Sequence, residues 1–306
     1  MHRHVVAGID GSPESLSAAH WAAREALRRD LSLRLVHAWQ WQPRPPVYVP
    51  AGTTQRYWAH RTLSQVSDSV RAAHPALHIT DESVVPESPV TALLTAAEQA
   101  EMLVLGSRGL SGVAGFLVGS VSLAVVARAP RPVVLVRAGE EASDEQFPAP
   151  DGASPDSDRD SVETPYRNVV LGLDTSSLCD ELIEFAFGTA QHRGAVLRVI
   201  HTFSAPPRYA AVGQLVPKPG PELLAEHQHA VSAALHAWRE KFPEVTVTGT
   251  VTEGRAASEL TRASTGAGMV VVGRRIRSGH FAIHIGPVAH AVLHHVGCPV
   301  AVVPHV

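Results

Sequence analysis

A glycine-rich segment and a later helix start carry the clearest chemistry in this 306-residue sequence. Gly106 and Gly109 frame the segment GSRG, and nine residues further on Gly119 opens the segment GSVS. Glycine lets backbone N–H groups approach a ligand that any Cβ would obstruct. A helix N-terminus adds unpaired N–H groups and a partial positive charge, and Ser120 and Ser122 add hydroxyls. The spacing predicts a pocket for a polyphosphate.

A purely structural interpretation of the same residues stays open. The glycines could serve only a turn and close packing of helix against sheet, with the serines as helix caps. Arg108 could balance phosphate charge or simply be solvated. The sequence contains neither the GxxxxGK[ST] pattern nor a GxGxxG pattern after its first apolar run, so two other common phosphate loops are excluded.

The chain is an internal duplication, which sets its domain organisation. Residues 4–12 match residues 168–176 at an offset of 164, and residues 32–39 match 196–203 at the same offset. Residues 119–136 match 286–303 at an offset of 167, with 7 of 18 positions identical. We predict a first copy at 1–138, a linker at 139–165 and a second copy at 166–306. The linker holds nine acidic residues and one basic residue, so we expect a flexible, solvated tether.

Short apolar runs alternate with longer amphipathic stretches in each copy. Residues 5–9, 33–36, 102–105 and 133–136 are predicted strands, and residues 90–100 and 120–128 are predicted helices. Ser12, Pro13 and Glu14 form a helix start with an N-capping hydroxyl, a proline and an acid in the first turn. The alternation predicts an α/β fold with a parallel sheet covered on both faces, and ligands at the carboxyl ends of its strands.

These motifs together resemble the universal stress protein family in its tandem-domain form. The resemblance rests on the G-x-x-G-x9-G-S spacing, the opening VAGIDGS and the closing PVVLV, and it covers both copies without the linker. It implies two tandem five-stranded parallel-sheet α/β sandwiches of the adenine nucleotide alpha hydrolase-like type. It also implies pairing through the apolar terminal strands, as an intramolecular pseudo-dimer of the two copies or as a homo-oligomer (dimer) of whole chains.

The resemblance further implies an ATP site, with Mg²⁺, in the first copy. Asp10 would lie by the nucleoside, and the main chain of Ala38 would face the adenine. The phosphates would be surrounded by Gly106, Arg108, Gly109, Gly119, Ser120, Val121 and Ser122. Asp10 could instead cap the turn that follows it.

We expect a nucleotide-dependent regulator in stress response and no fast enzyme, because no motif places a carboxylate or histidine to activate water. The alternatives are a slow ATPase and an interaction module that works without nucleotide.

Two cysteines and an N-terminus without a long apolar run favour a cytoplasmic protein. Residues 110–127 carry no charge, but their glycines and serines argue against a membrane span. The charge distribution does not favour nucleic acid.

The second copy departs from the phosphate pattern. Ile276 stands where the second glycine is expected, and Pro287 replaces the serine and its backbone N–H. Arg274, Arg275 and Arg277 could offset part of that loss. We therefore expect the second copy to bind nucleotide poorly, if at all. His290 and His294 have the spacing of a metal-binding pair on a helix, but no motif completes a ligand set.

Overall fold

The computed structural model of the chain describes residues 3–38, 55–84, 88–109, 116–147, 165–204, 221–276 and 285–306. The strands of the first copy are β1 His4–Ile9, β2 Ser32–Ala38, β3 Ile79–Val84, β4 Ala100–Gly109, β5 Phe116–Leu117 and β6 Val133–Arg137. Its helices are α1 Pro13–Arg28, α2 Gln55–Ala73, α3 Pro89–Glu98 and α4 Ser120–Val126.

The second copy repeats this order of elements. Its strands are β7 Val169–Gly172, β8 Leu197–Phe203, β9 Val247–Glu253, β10 Met269–Arg275 and β11 Val300–His305. Its helices are α5 Asp180–Arg193, α6 Pro221–Lys241, α7 Ala256–Ala263 and α8 Pro287–His295.

Local sequence explains where the helices begin and end. The Ser12 hydroxyl accepts the backbone N–H of Ser15 at 3.2 Å and so caps α1, which then starts at Pro13, as predicted. Helix α5 ends at Gly194, whose φ of +58° suits glycine because it has no Cβ.

The strands form one continuous sheet through both copies. Its order is β3-β2-β1-β4-β6-β11-β10-β7-β8-β9, and the short β5 pairs with β4 off this path. Within each copy the five main strands are parallel, which confirms the predicted α/β class. The copies join where β6 pairs antiparallel with β11, with Val134 opposite Ala301. The tandem copies therefore form the expected intramolecular pseudo-dimer.

This internal pairing occupies the terminal strands. Strand β6 lies between β4 and β11, and β11 lies between β6 and β10. A dimer of whole chains through these strands would have to displace the pairing inside each chain.

Two apolar layers cover the sheet, and each runs through both copies. The first contains side chains of α1, α2, α5 and α6, among them the fully buried Trp21 and Phe187. The second contains side chains of α3, α4, α7 and α8, among them Val125 and Val292. Among the described residues, no helix has both the length and the apolar character needed to cross a membrane.

A buried ionic cluster, which we call the interface cluster, joins the copies where α1 meets α5. It consists of two carboxylates and four guanidinium groups, from Glu25, Glu145, Arg24, Arg28, Arg29 and Arg193. Both carboxylate side chains are fully buried. The cluster therefore ties together the first copy, the second copy and the segment between them.

The start of the segment between the copies differs from the sequence expectation. Most of residues 139–147, predicted to be part of a solvated tether, are exposed, but Glu145 at the end of the 3₁₀ turn Ala142–Glu145 is fully buried. The arginines around Glu145 explain this, because they compensate a carboxylate that would otherwise stay in water. Residues 148–164 of the predicted linker lie outside the described residues.

Candidate functional site

In the first copy, Asp10 and the glycine-rich segment reach the same edge of the sheet. Asp10 follows β1, and Gly106 to Gly109 form the last part of β4, the strand next to β1. The glycine-rich segment extends β4 and pairs antiparallel with β5. Arg108 pairs with Leu117 and Gly109 with Phe116 in this hairpin, whose tip lies outside the described residues.

The carboxylate of Asp10 organises the turn from β1 to α1. Its Oδ1 accepts the backbone N–H of Ser12 at 3.0 Å and the Ser12 hydroxyl at 2.5 Å. Gly11, between them, has a φ of +84°, which favours glycine. In the second copy, Asp174 makes the same two contacts with Ser176. The capping role is thus present in both copies, and a role beside a nucleoside stays a prediction.

Gly106 is explained by packing of helix against sheet. A Cβ at this position would lie 2.6 Å from the backbone carbon of Glu14 in α1. The carbonyl of Gly106 accepts the hydroxyl of Ser122 at 3.3 Å, which ties α4 to the end of β4. The structural alternative for this glycine is therefore supported. Ser122 lies beside the end of β4, and its role toward a phosphate stays a prediction.

Gly119 has different surroundings. It precedes α4 with φ −61° and ψ 151°, and no described heavy atom lies within 4 Å of a Cβ built on it. Ser120 and Val121 begin α4 and are exposed. Among the described residues, nothing apart from the chain neighbours of Gly119 therefore crowds this end of α4.

Ala38 ends β2 and is paired in register with Val84. The preceding His37 is buried, and its Nδ1 lies 2.6 Å from the carbonyl oxygen of Ile9. His37 therefore joins the ends of β1 and β2, as expected for a structural histidine. The residues after Ala38 that would complete an adenine pocket lie outside the described part of the chain.

In the second copy, a cavity of about 380 Å³ opens at the equivalent edge of the sheet. Gly273, Gly286 and Pro287 line it. Ile276 is not among its lining residues, and its side chain is 46% exposed. Ile276 therefore does not obstruct this cavity, and residues 277–284, including Arg277, lie outside the described residues. Poor nucleotide binding by the second copy stays a prediction.

The two adjacent arginines of β10 have separate roles. Arg275 lines the cavity, whereas Arg274 is buried and donates to the carbonyls of Ala127 at 3.1 Å and Ala129 at 2.5 Å. Those carbonyls belong to the end of α4 and the turn after it, in the first copy. The expectation that Arg274 balances ligand charge is wrong, because its guanidinium is buried against these first-copy carbonyls and does not line the cavity.

Neither cysteine has the surroundings of a reactive thiol. Cys179 is buried at the start of α5, and burial raises its pKa to about 11. Burial likewise raises the pKa of Cys298 to about 12.

The rings of His290 and His294 lie 4.5 Å apart. Within the described ranges, no group of three or more histidine, cysteine or acidic side chains could hold a metal ion.

Comparison with known proteins agrees with the duplication. The model of the universal stress protein family matches residues 1–137 and 165–304. Universal stress protein Rv2005c from Mycobacterium tuberculosis is 32% identical over 313 residues, covering 97% of this chain and 96% of that protein. Universal stress protein Rv2623 from the same organism is 30% identical over 307 residues, covering 97% and 95%.

A solved structure shares the fold along the whole chain. A universal stress protein from Archaeoglobus fulgidus has a TM-score of 0.67 and 16% identity, covering 98% of each chain. The two matches to the family model, the full-length relatives and the shared architecture lead to one conclusion. The chain belongs to the universal stress protein family, with two of its domains in tandem.

Proposed function

We propose that the first copy binds ATP with Mg²⁺ and that the chain is a cytoplasmic, nucleotide-dependent regulator in stress response. The observation that carries this proposal is the position of Asp10 and the glycine-rich segment. They follow β1 and end β4, two neighbouring strands between which the strand order reverses, since β2 lies on the other side of β1. Ligands of open parallel sheets bind at such a switch point.

The residue roles follow the family resemblance. Asp10 lies by the ribose, the main chain of Ala38 faces the adenine, and the phosphates lie along the end of β4 and the start of α4. The phosphate-binding residues are Gly106, Arg108, Gly109, Gly119, Ser120, Val121 and Ser122. The absence of described atoms near a Cβ at Gly119, its chain neighbours aside, supports this assignment, because phosphates need room there. Mg²⁺ comes with the nucleotide and is held largely by its phosphates, as is usual for this ion.

The experiment is a calorimetric titration of the full chain with ATP and Mg²⁺. Wild-type protein is expected to bind with a Kd on the order of 1 μM. Gly109→Ile copies the second copy's Ile276 into the first and is expected to abolish binding. The matched control is Gly249→Ile in edge strand β9, where no described heavy atom lies within 4 Å of the new Cβ.

Each outcome separates the alternatives. Unchanged ATP binding by Gly109→Ile would refute the site. No ATP binding by wild-type protein would favour an interaction module that works without nucleotide. Sustained phosphate release that is lost in Ser120→Ala would instead identify a slow ATPase.

A further inference from the structure

The second-copy cavity has the size and walls of a small-molecule site. It lies where β7, β8 and β10 end, and its volume of about 380 Å³ falls within the usual range for ligand pockets. Much of its wall is aliphatic, from Leu173, Leu182, Ile200, Leu260, Val272 and Val288. An apolar ligand body would therefore be stabilised there by burial.

Two basic side chains stand at one end of the cavity. Arg275 of β10 and His305 of β11 are register partners on neighbouring parallel strands, and both line the cavity. Gly273 makes room for this arrangement, because a Cβ there would lie 2.9 Å from Nε2 of His305. Gly273 therefore leaves room for the His305 ring at the cavity wall.

The start of α8 adds backbone donors at the cavity. Val288 and Ala289 line it, and the first hydrogen bond of the helix runs from the N–H of His290 to the carbonyl of Gly286. The N–H groups of Val288 and Ala289 precede that bond, so the helix itself does not use them. Together with Arg275 and His305, they provide donors for one anionic group.

The same cavity is poorly suited to a polyphosphate. Pro287 has no N–H or hydroxyl where the first copy has Ser120. Arg274 is committed to the carbonyls of Ala127 and Ala129. Asp174 also lines the cavity, and only part of its charge is offset by the two hydrogen bonds from Ser176. Among the residues that the structure describes, the donors at this cavity therefore suit one anionic head better than three linked phosphates.

We propose that the second-copy cavity binds a small amphipathic anion. Its single head, a carboxylate or a phosphate monoester, lies at Arg275, His305 and the start of α8. Its apolar body lies against the aliphatic wall. This site does not depend on whether the first copy binds ATP.

The test titrates the full chain with octanoate and, separately, with phenyl phosphate, which distinguishes the two head groups. At least one probe is expected to bind with one-site stoichiometry. Arg275→Gln is expected to weaken that probe about tenfold, the effect of one charge-assisted hydrogen bond. The matched control is Arg262→Gln, because Arg262 is 70% exposed and pairs with Glu259 on α7.

A second variant tests the cavity without changing charge. Ala256 lines the cavity at the start of α7, so Ala256→Phe is expected to fill it and abolish probe binding while the thermal midpoint stays within a few degrees. Binding that survives both Arg275→Gln and Ala256→Phe would overturn the proposal, as would no binding of either probe. ATP binding in the Gly109→Ile background, with an affinity that matches the affinity of the probe, would also overturn the proposal. The titration of wild-type protein with ATP tests the first-copy assignment separately.

Discussion

Arg193 of the second copy donates a hydrogen bond of 2.7 Å to the carboxylate of Glu25 in the first copy. The two side chains are 1% and 0% exposed. Glu25 also accepts from Arg28 and Arg29 of its own helix, at 3.2 Å and 2.8 Å. A second buried carboxylate, Glu145, accepts from Arg24 and Arg28. The contact between the copies is therefore ionic at its centre as well as apolar around it.

Glu25→Gln is expected to destabilise the chain by about 3–5 kcal/mol, because it leaves buried guanidinium groups without their counter-charge. Urea unfolding measures the change. The matched control is Glu101→Gln, which breaks an ion pair with the 64% exposed Arg3 and should cost less than about 1 kcal/mol. Equal effects of the two substitutions would contradict the role given to Glu25.

Acid should weaken the same cluster. Burial on its own would raise the pKa of Glu25, but the charges of Arg193, Arg29 and Arg28 outweigh it and hold the pKa well below its usual range. A carboxylate whose pKa is depressed by folding contributes stability at neutral pH and loses it below its unfolded pKa of about 4.3. The stability difference between wild type and Glu25→Gln should therefore be constant from pH 7 to 5 and shrink below about pH 4. A difference that does not change down to pH 3 would be the contrary result.

Sequence patterns predicted the sheet and missed this cluster for a physical reason. The apolar runs of β1 and β7 and the cap at Ser12 are local signals, so they indicate local structure directly. Arg24 and Glu145 are 121 residues apart, and Glu25 and Arg193 are 168 apart. The antiparallel pairing of β6 with β11 joins the copies and so brings α5 with Arg193 beside α1 with Glu25. The register of that pairing cannot be read from the composition of the acidic segment.

Glu140 should have the opposite pH dependence. Burial raises its pKa to about 7, and the charges of Asp144 and Glu145 add to the rise. An acid with a raised pKa destabilises the folded state as pH rises from its unfolded value of about 4.3 through 7. Glu140→Gln is therefore expected to stabilise the chain by about 1–2 kcal/mol at pH 8 and by much less at pH 5.

Thermal or urea unfolding at the two pH values checks this expectation. Glu226→Gln, at an exposed position of α6, is the control and should show no such pH-dependent gain. A Glu140→Gln variant that is less stable than wild type at pH 8 would contradict the assignment.

Arg274 should matter for stability although it does not line the cavity. Arg274→Met keeps an apolar stem and removes both donors to the carbonyls of Ala127 and Ala129, at an expected cost of about 1.5–3 kcal/mol in unfolding free energy. Arg262→Met, on the exposed side of α7, is expected to cost less than about 1 kcal/mol. If the two variants unfold at the same urea concentration, the cross-copy bonds are not stabilising.

The candidate site was predictable only in part. The sequence predicted a strand before Gly106 and a helix after Gly119, and the structure has Gly106 in the last part of β4 and Gly119 as the N-cap of α4. Their separate roles were not predictable, since a glycine that packs against a helix and one without close described neighbours look alike in a sequence. Pro287 begins helix α8 in the structure, but the sequence did not indicate that a cavity lies beside it.

Gly106→Ala should damage the fold itself. The added methyl would lie 2.6 Å from the backbone of Glu14, which cannot rotate away, so the cost is expected near the upper end of about 1–3 kcal/mol for overpacking. Urea unfolding without nucleotide measures it. A variant as stable as wild type would show that α1 and β4 are not closely packed at this point.

Gly119→Ala should separate binding from folding. No described heavy atom lies within 4 Å of the new methyl, and the backbone at φ −61° and ψ 151° suits any residue. Loss of glycine at a helix N-cap should cost less than about 1 kcal/mol. The methyl would project into the space proposed for the phosphates, so ATP affinity should fall while unfolding stays close to wild type, as measured by calorimetry and urea titration on one preparation. ATP binding as tight as that of wild type would mean that the phosphates do not lie beside the start of α4.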